Sequence, residues 1–331
     1  MTHICMVSHR GCVRVGKEAT ALMTRGIYVS SISFERPKWS ERFSQVVLCR
    51  DKEQFRRSIE MSSADIFHVH NTPDWLVKEV REVTDRPIVY DIHDPEVMRL
   101  GHPGEDEQEA HDLSNATIYP SDSCRIFTDN YFKKTVPSIT LFSYVNQIGK
   151  VSPMRYPSLD SVVYEGGITH NPKSYRYYKD IFATFLNTGF NVFLLPSGWS
   201  PDAEKYGRQV IIIGPLDYVP MLKAIRSFGF GIVGSQEYIH LMHSAMPNKL
   251  FEYISVGVVP LMFNMGEASE WVTSNNIGID MTKISGENSS GVTKKQLISM
   301  SRECRENLLK IRENLWLEDY IQPLIELYQS L

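Results

Sequence analysis

Twice along the 331 residues, short β-rich apolar runs alternate with polar-apolar segments of helical length. That recurrence constrains the fold more than any other feature. A chain that passes from strand to helix to strand without hairpin signals closes into a parallel sheet covered by helices on both faces. The spacing predicts strands over 4–8, 28–34, 46–49, 66–70, 88–92 and 139–142, with helices over 16–25, 51–61 and 74–84. The pattern pauses over 144–159, a stretch with two prolines and no clear period, and restarts with strands over 161–165, 191–195, 209–213, 230–233 and 258–263. The expected fold class is therefore α/β, with two Rossmann-like doubly wound domains in tandem. The last segment, 302–331, reads as helical and amphipathic.

Composition removes several classes. There are 35 Lys and Arg against 39 Asp and Glu, a formal charge of -4, so no global field draws in nucleic acid. No run approaches 18 uninterrupted apolar residues, and the apolar start at Ile4 meets Ser8, His9 and Arg10 before a secretory h-region could form. Cys5, Cys12, Cys49, Cys124 and Cys304 are odd in number and form no CxxC pair, which suits reduced thiols in a cytoplasm. The near-neutral total hides an asymmetry, because residues 1–60 hold 11 Lys or Arg against 6 acids. These cations (Arg10, Arg14, Lys17, Arg25, Arg36, Lys38, Arg42, Arg50, Lys52, Arg56 and Arg57) form either a solvated face or a surface for an anionic partner, a lipid headgroup or nucleic acid.

The most informative run is Pro247-Asn248-Lys249-Leu250-Phe251-Glu252-Tyr253. Pro247 suits a helix's first turn, Leu250, Phe251 and Ile254 share an apolar face, Lys249 and Glu252 share the polar one, and Gly257 ends the helix. A helix start beside Asn248 and Lys249 can grip a diphosphate, and a carboxylate one turn in can accept from ribose hydroxyls. The bland alternative is an i,i+3 ion pair on a helix surface.

The run from Pro247 to Leu261 resembles the donor-site helix of GT-B glycosyltransferases, in particular the retaining family 4, and the resemblance extends over most of the chain. Val162-Val163-Tyr164-Glu165-Gly166-Gly167-Ile168 is similar to the opening strand and glycine turn of their C-terminal domain. Ile212-Ile213-Gly214-Pro215-Leu216 is similar to the turn near the nucleotide base. Asp65-Ile66-Phe67-His68-Val69-His70-Asn71 and Val89-Tyr90-Asp91-Ile92-His93-Asp94 resemble two strand ends of the N-terminal domain, and Arg14 to Ala19 the first helix. The resemblance implies an acceptor domain at 1–148, a linker at 149–160, a nucleotide-sugar donor domain at 161–312 and a returning helix at 313–331, the two domains facing a central cleft. It implies Glu252 on the ribose, Lys249 and Asn248 with a cation at Lys173 or Arg176 on the diphosphate beside Gly167, and Pro215 and Leu216 at the base. His93 is the implied catalytic residue, with Arg14, His70 and Asn71 on the acceptor side. Two departures stand out: Ser244 lies where relatives often carry a second Glu, and Ile168 where an Arg often follows the glycine turn.

Other signals are weaker. Gly229-Phe230-Gly231-Ile232-Val233-Gly234 matches GxGxxG but runs through a strand instead of opening a helix, so it is read as a decoy. His68 and His70 share one face of a strand ahead of Asp74, a conceivable metal centre without a second carboxylate at a matching strand end. His240 and His243 read as loop or helix-surface residues. No DxD pair stands in a suitable loop, so the expected diphosphate site uses no metal and no cofactor. The expected function is transfer of a sugar from a nucleotide diphosphate to a hydroxyl of a glycan, lipid-linked glycan, protein or nucleic acid, with retention. A nucleotide-sugar epimerase and a non-catalytic nucleotide-sugar-binding subunit remain open, as does contact of the basic segment with the inner membrane face.

Overall fold

The computed structural model describes residues 2–132, 134–207, 209–285 and 292–331. Two compact units emerge, Met1–Gln147 together with Trp316–Leu331, and Ile148–Leu315.

The first unit is built on seven parallel strands: β1 His3–Ser8, β2 Tyr28–Ser33, β3 Gln45–Leu48, β4 Ile66–His70, β5 Ile88–Asp91, β6 Ala116–Tyr119 and β7 Ser138–Thr140. Their order is β3-β2-β1-β4-β5-β6-β7, so the winding reverses between β1 and β4. Such a switch point leaves the carboxyl ends of the strands open to a ligand or a polar cluster. Helix α1, Val13–Thr24, leaves β1 there. Cys5, Val7, Phe67, Val69, Leu76, Val77 and Tyr90 pack together in the core, each large apolar side chain contributing about 1.5–3 kcal/mol by burial.

The second unit has six parallel strands: β8 Ser158–Gly166, β9 Asn191–Pro196, β10 Ile211–Ile212, β11 Phe228–Gly234, β12 Val259–Phe263 and β13 Ile279–Asp280. Their order, β10-β9-β8-β11-β12-β13, places the switch between β8 and β11. Its core gathers Tyr164, Phe182, Phe185, Leu194, Tyr206, Phe230 and Leu261.

The doubly wound α/β class expected from the sequence is what the chain adopts, with differences in detail. β6 and β13, of four and two residues, are strands that the sequence reading did not expect. β8 starts at Ser158, inside the segment expected to be linker, and its first residue hydrogen-bonds back to Ser227. The expected strand over 209–213 shrinks to Ile211–Ile212. The amphipathic tail is several helices: Lys294–Ile311, which a Thr293–Gln296 capping box starts, then Leu317–Tyr320 and Gln322–Gln329. The break falls at Leu315, whose ψ of 51° leaves the helical region, and Pro323 opens the final helix. Among the described residues no helix is long and apolar enough to cross a membrane.

Candidate functional site

In the first unit the carboxyl ends of β4 and β5 and the first turns of α1 gather charged side chains in one buried cluster. Register sets His70 opposite Asp91. Asp91 Oδ2 is the hub, 3.0 Å from Arg14 Nε, 3.2 Å from His70 Nδ1, 3.3 Å from His93 Nε2 and 3.4 Å from His68 Nε2. Arg14 also reaches Glu18 Oε1 at 2.8 Å and donates to Leu141 O and Ser143 Oγ. Tyr328, from the chain's last helix, bonds His68 Nδ1 at 2.5 Å.

Burial alone would raise the Asp91 pKa, but Arg14, His93 and the other two histidines outweigh it and hold the carboxyl well below the usual range. Burial, then the Asp91 charge, pushes Glu18 well above its ordinary value, toward the protonated form. Burial also lowers His68 and His70, which stay neutral. His93 goes the other way: burial opposes its charge, yet Asp91 and then Cys12 push it up to about 10, an imidazolium at neutral pH.

Glu18, His68, His70 and Asp91 place one ligand-type atom each within 4.8 Å of one another. Asp91 is thus the carboxylate the sequence reading missed, while Asp74 lies apart, accepting from the Tyr90 hydroxyl. The Arg14 guanidinium already sits against both carboxylates. It supplies the positive charge itself, with Asp91 and Glu18 against it, while His68 and His70 lie against Asp91.

The expected acceptor-side residues Arg14, His70 and Asn71 are all buried. Asn71 Oδ1 accepts the His93 backbone N–H at 2.8 Å, so these residues stand behind His93, which keeps 18% of its side chain exposed. The basic face shrinks as well. Arg14 and Lys17 are buried, and Lys52 and Arg56 pair with Glu79.

In the second unit β8 ends in the turn Gly166-Gly167, with Gly166 at φ +122°. Tyr164 donates its hydroxyl to Gly167 O at 2.7 Å, and the Glu165 N–H donates to the Tyr253 hydroxyl at 3.0 Å, so two tyrosines fix the turn. A Cβ at Gly166 would meet Lys249 Nζ at 3.2 Å, and one at Gly167 would meet Arg176 Nη1 at 3.2 Å. The bare turn is therefore bracketed by two cations, neither of which makes an ion pair among the described residues. Lys249 Nζ lies 4.0 Å from the centre of the Tyr164 ring. Lys173 lies exposed in the following loop.

The helix Asn248–Val256 starts and stops as expected, with Gly257 at φ +81°, although Pro247 sits one residue earlier than predicted, as an extended N-cap. Glu252 departs from expectation: it is only 4% exposed. The helix is buried from Leu250 to Val256 because the helix Tyr218–Ile225 packs across it. Burial, followed by the Glu252 and Glu165 charges, drives the Tyr218 hydroxyl well above its ordinary pKa. Pro215 and the exposed Leu216 follow Gly214, against which the indole of Trp199 lies; that indole is 67% exposed. The glycines of the GxGxxG run serve packing, since Gly231 lies under the Tyr253 ring and Gly234 against Phe263 O. His240 and His243 are exposed on a short helix.

Sequence reasoning overlooked Glu18, Asp91, Tyr218, Tyr164 and Trp199. For Asp91 there was a signal, a charge that directly follows the apolar run Ile88-Val89-Tyr90; the roles of the others depend on neighbours distant in sequence.

Two doubly wound sheets of this kind define the GT-B fold, and solved structures of GT-B glycosyltransferases match the chain over its whole length. A sucrose-phosphate synthase from Thermosynechococcus elongatus matches with a TM-score of 0.73 at 12% identity, over 100% of this chain and 99% of that one. HepE from Anabaena, solved with UDP and glucose, matches with a TM-score of 0.71 at 11% identity over 100% of both. An alpha-glucosyltransferase solved with UDP and a 13-mer DNA matches with a TM-score of 0.66 at 13% identity, over 99% of this chain and 100% of that one. No family model matches the sequence, and no curated protein does.

Proposed function

We propose that this chain is a glycosyltransferase that moves a sugar from a nucleotide diphosphate to an acceptor hydroxyl, with retention and without a metal ion, in the manner of family 4. The observation that carries the reading is the Gly166-Gly167 turn between Lys249 and Arg176. A turn without side chains lets a diphosphate approach the backbone, and two cations that make no ion pair among the described residues offset the charge that grows on it as the glycosidic bond breaks. That is the work a divalent ion would otherwise do.

Glu252 takes the ribose, exchanging its contact with Tyr218 for the two ribose hydroxyls. Pro215, Leu216 and Trp199 offer apolar surface to the base. UDP in the neighbours' structures makes a UDP-sugar the first donor to test. His93, held as an imidazolium by Asp91, is the proposed catalytic residue through the positive charge it sets on the acceptor side. Two results separate this reading from an epimerase or a binding subunit: transfer to an acceptor, and retained anomeric configuration in the product by NMR. Calorimetry that finds no binding of UDP, GDP or ADP would sink it. Loss of activity in EDTA would sink the metal-free part alone.

A further inference from the structure

The structure separates one of the five cysteines from the rest. Cys5, Cys49, Cys124 and Cys304 are buried, and burial pushes the thiols of Cys5 to about 12, Cys304 to about 11 and Cys49 upward. Cys12 is half-buried at the N-cap of α1, a 12-residue helix with no acid in its first turn. Its Sγ lies 4.0 Å from His93 Nδ1, and the other ring nitrogen of His93 lies 3.3 Å from Asp91 Oδ2. Sulfur, imidazole and carboxylate thus follow one another in the order of a nucleophile, its base and the group that orients the base.

The arrangement is braced on every side. Asn71 accepts the His93 backbone N–H, His70 Nδ1 lies 3.0 Å from His93 Nε2, and Arg14 anchors Asp91. The groups facing the sulfur and the ring are Asp91 on β5, His70 on β4 and Arg14 with Glu18 on α1. Burial and Asp91 oppose a charged sulfur, but the His93 imidazolium and the Val15 N–H outweigh them and draw the Cys12 pKa below the ordinary thiol value.

We propose that Cys12, His93 and Asp91 form a nucleophilic triad whose sulfur is the site at which this chain reacts with hydrogen peroxide. The sulfur lone pair attacks one peroxide oxygen, so that an S–O bond forms as the O–O bond breaks. The departing hydroxide takes the proton from His93 Nδ1 and leaves as water. Cys12 ends as a sulfenic acid, oxidised by two electrons, beside a neutral His93. The inference stands apart from the glycosyltransferase reading, because its readout is the modified sulfur.

The test treats the full chain with iodoacetamide between pH 5.5 and 9.5 and maps the adducts by mass spectrometry. One adduct is expected, at Cys12, forming at pH 6 at least about tenfold faster than on a free cysteine, whose thiolate fraction is below about 1% there. His93→Gln, checked by its melting curve, should slow that rate at least about tenfold at pH 6 and restore it above pH 9. A second arm adds hydrogen peroxide with dimedone to trap the sulfenic acid, and should give one adduct at Cys12 and none in Cys12→Ser. Several labelled cysteines, a rate that follows an ordinary thiol, indifference to His93→Gln, or no dimedone adduct would each overturn the proposal.

Discussion

The switch points of the two sheets carry charge in opposite ways. In the first unit, Arg14, Glu18, His68, His70 and Asp91 are buried and answer one another within hydrogen-bond or ion-pair distance. In the second, Lys249 and Arg176 flank a bare turn with no acid paired to either among the described residues. A buried charge must find its partner inside the protein, whereas a cation at the surface can leave that place to a ligand. The first site is therefore built to hold a histidine in one protonation state, and the second to wait for an anion.

The sharpest attack on this contrast is Asp91→Asn, which leaves the Arg14 guanidinium buried without its main counter-charge. Stability should fall by about 3–5 kcal/mol in urea unfolding, and a loss within error would mean the cluster is not a closed ion network. Lys249→Ala should show the converse: an unchanged melting temperature, but UDP bound about 10–100-fold more weakly, the value of a hydrogen bond to a charged group. Uridine should lose little. Equal loss for both ligands in calorimetry would make Lys249 structural.

Glu252 tests where the line between the two behaviours falls. Because it is buried against Tyr218, removing the side chain would also disturb the fold; Glu252→Gln keeps the shape. It should cost about 1 kcal/mol or less in stability and weaken uridine and UDP by the same factor, a few-fold. Unaltered uridine affinity would remove the ribose role.

The smallest effects lie in pH dependence. The folded-state pKa values of His68 and His70 lie below 6.5, so the unfolded chain binds protons that the folded one refuses. Their contribution is present above pH 6.5 and is lost as pH falls below it. His93 has the opposite sign, stabilising fully below pH 6.5 and losing its contribution as pH rises through about 10. His70→Gln should flatten the acid side of a stability-pH curve by at most about 1.4 kcal/mol per pH unit, and His93→Gln the alkaline side. Curves parallel to the wild type would show that neither residue titrates as described.

How much was legible in advance varies with the range of the interaction. The β/α alternation, the helix Asn248–Val256 and its Gly257 stop, and the decoy status of the glycine run were all readable, because each rests on residues a few positions apart. Lys249 could be placed beside a glycine turn only through a family resemblance, since more than eighty residues separate them in sequence. Glu252 was misjudged because helical periodicity assigns one polar face, whereas a neighbouring helix covers it.

By itself the sequence determined that strands and helices alternate, that the alternation occurs twice, and where several elements begin and end. These follow from backbone sterics and the periodicity of apolar residues. Only tertiary structure decided which charges are consumed inside the protein and which remain for a ligand. Arg14 and Arg176 are the same residue type in the sequence. One lies against carboxylates from α1 and from β5, the latter 77 positions away, and the other flanks a bare turn with no acid paired to it among the described residues. The energy of a charge depends on what the fold sets within a few ångströms of it, and that is not a local property of the chain.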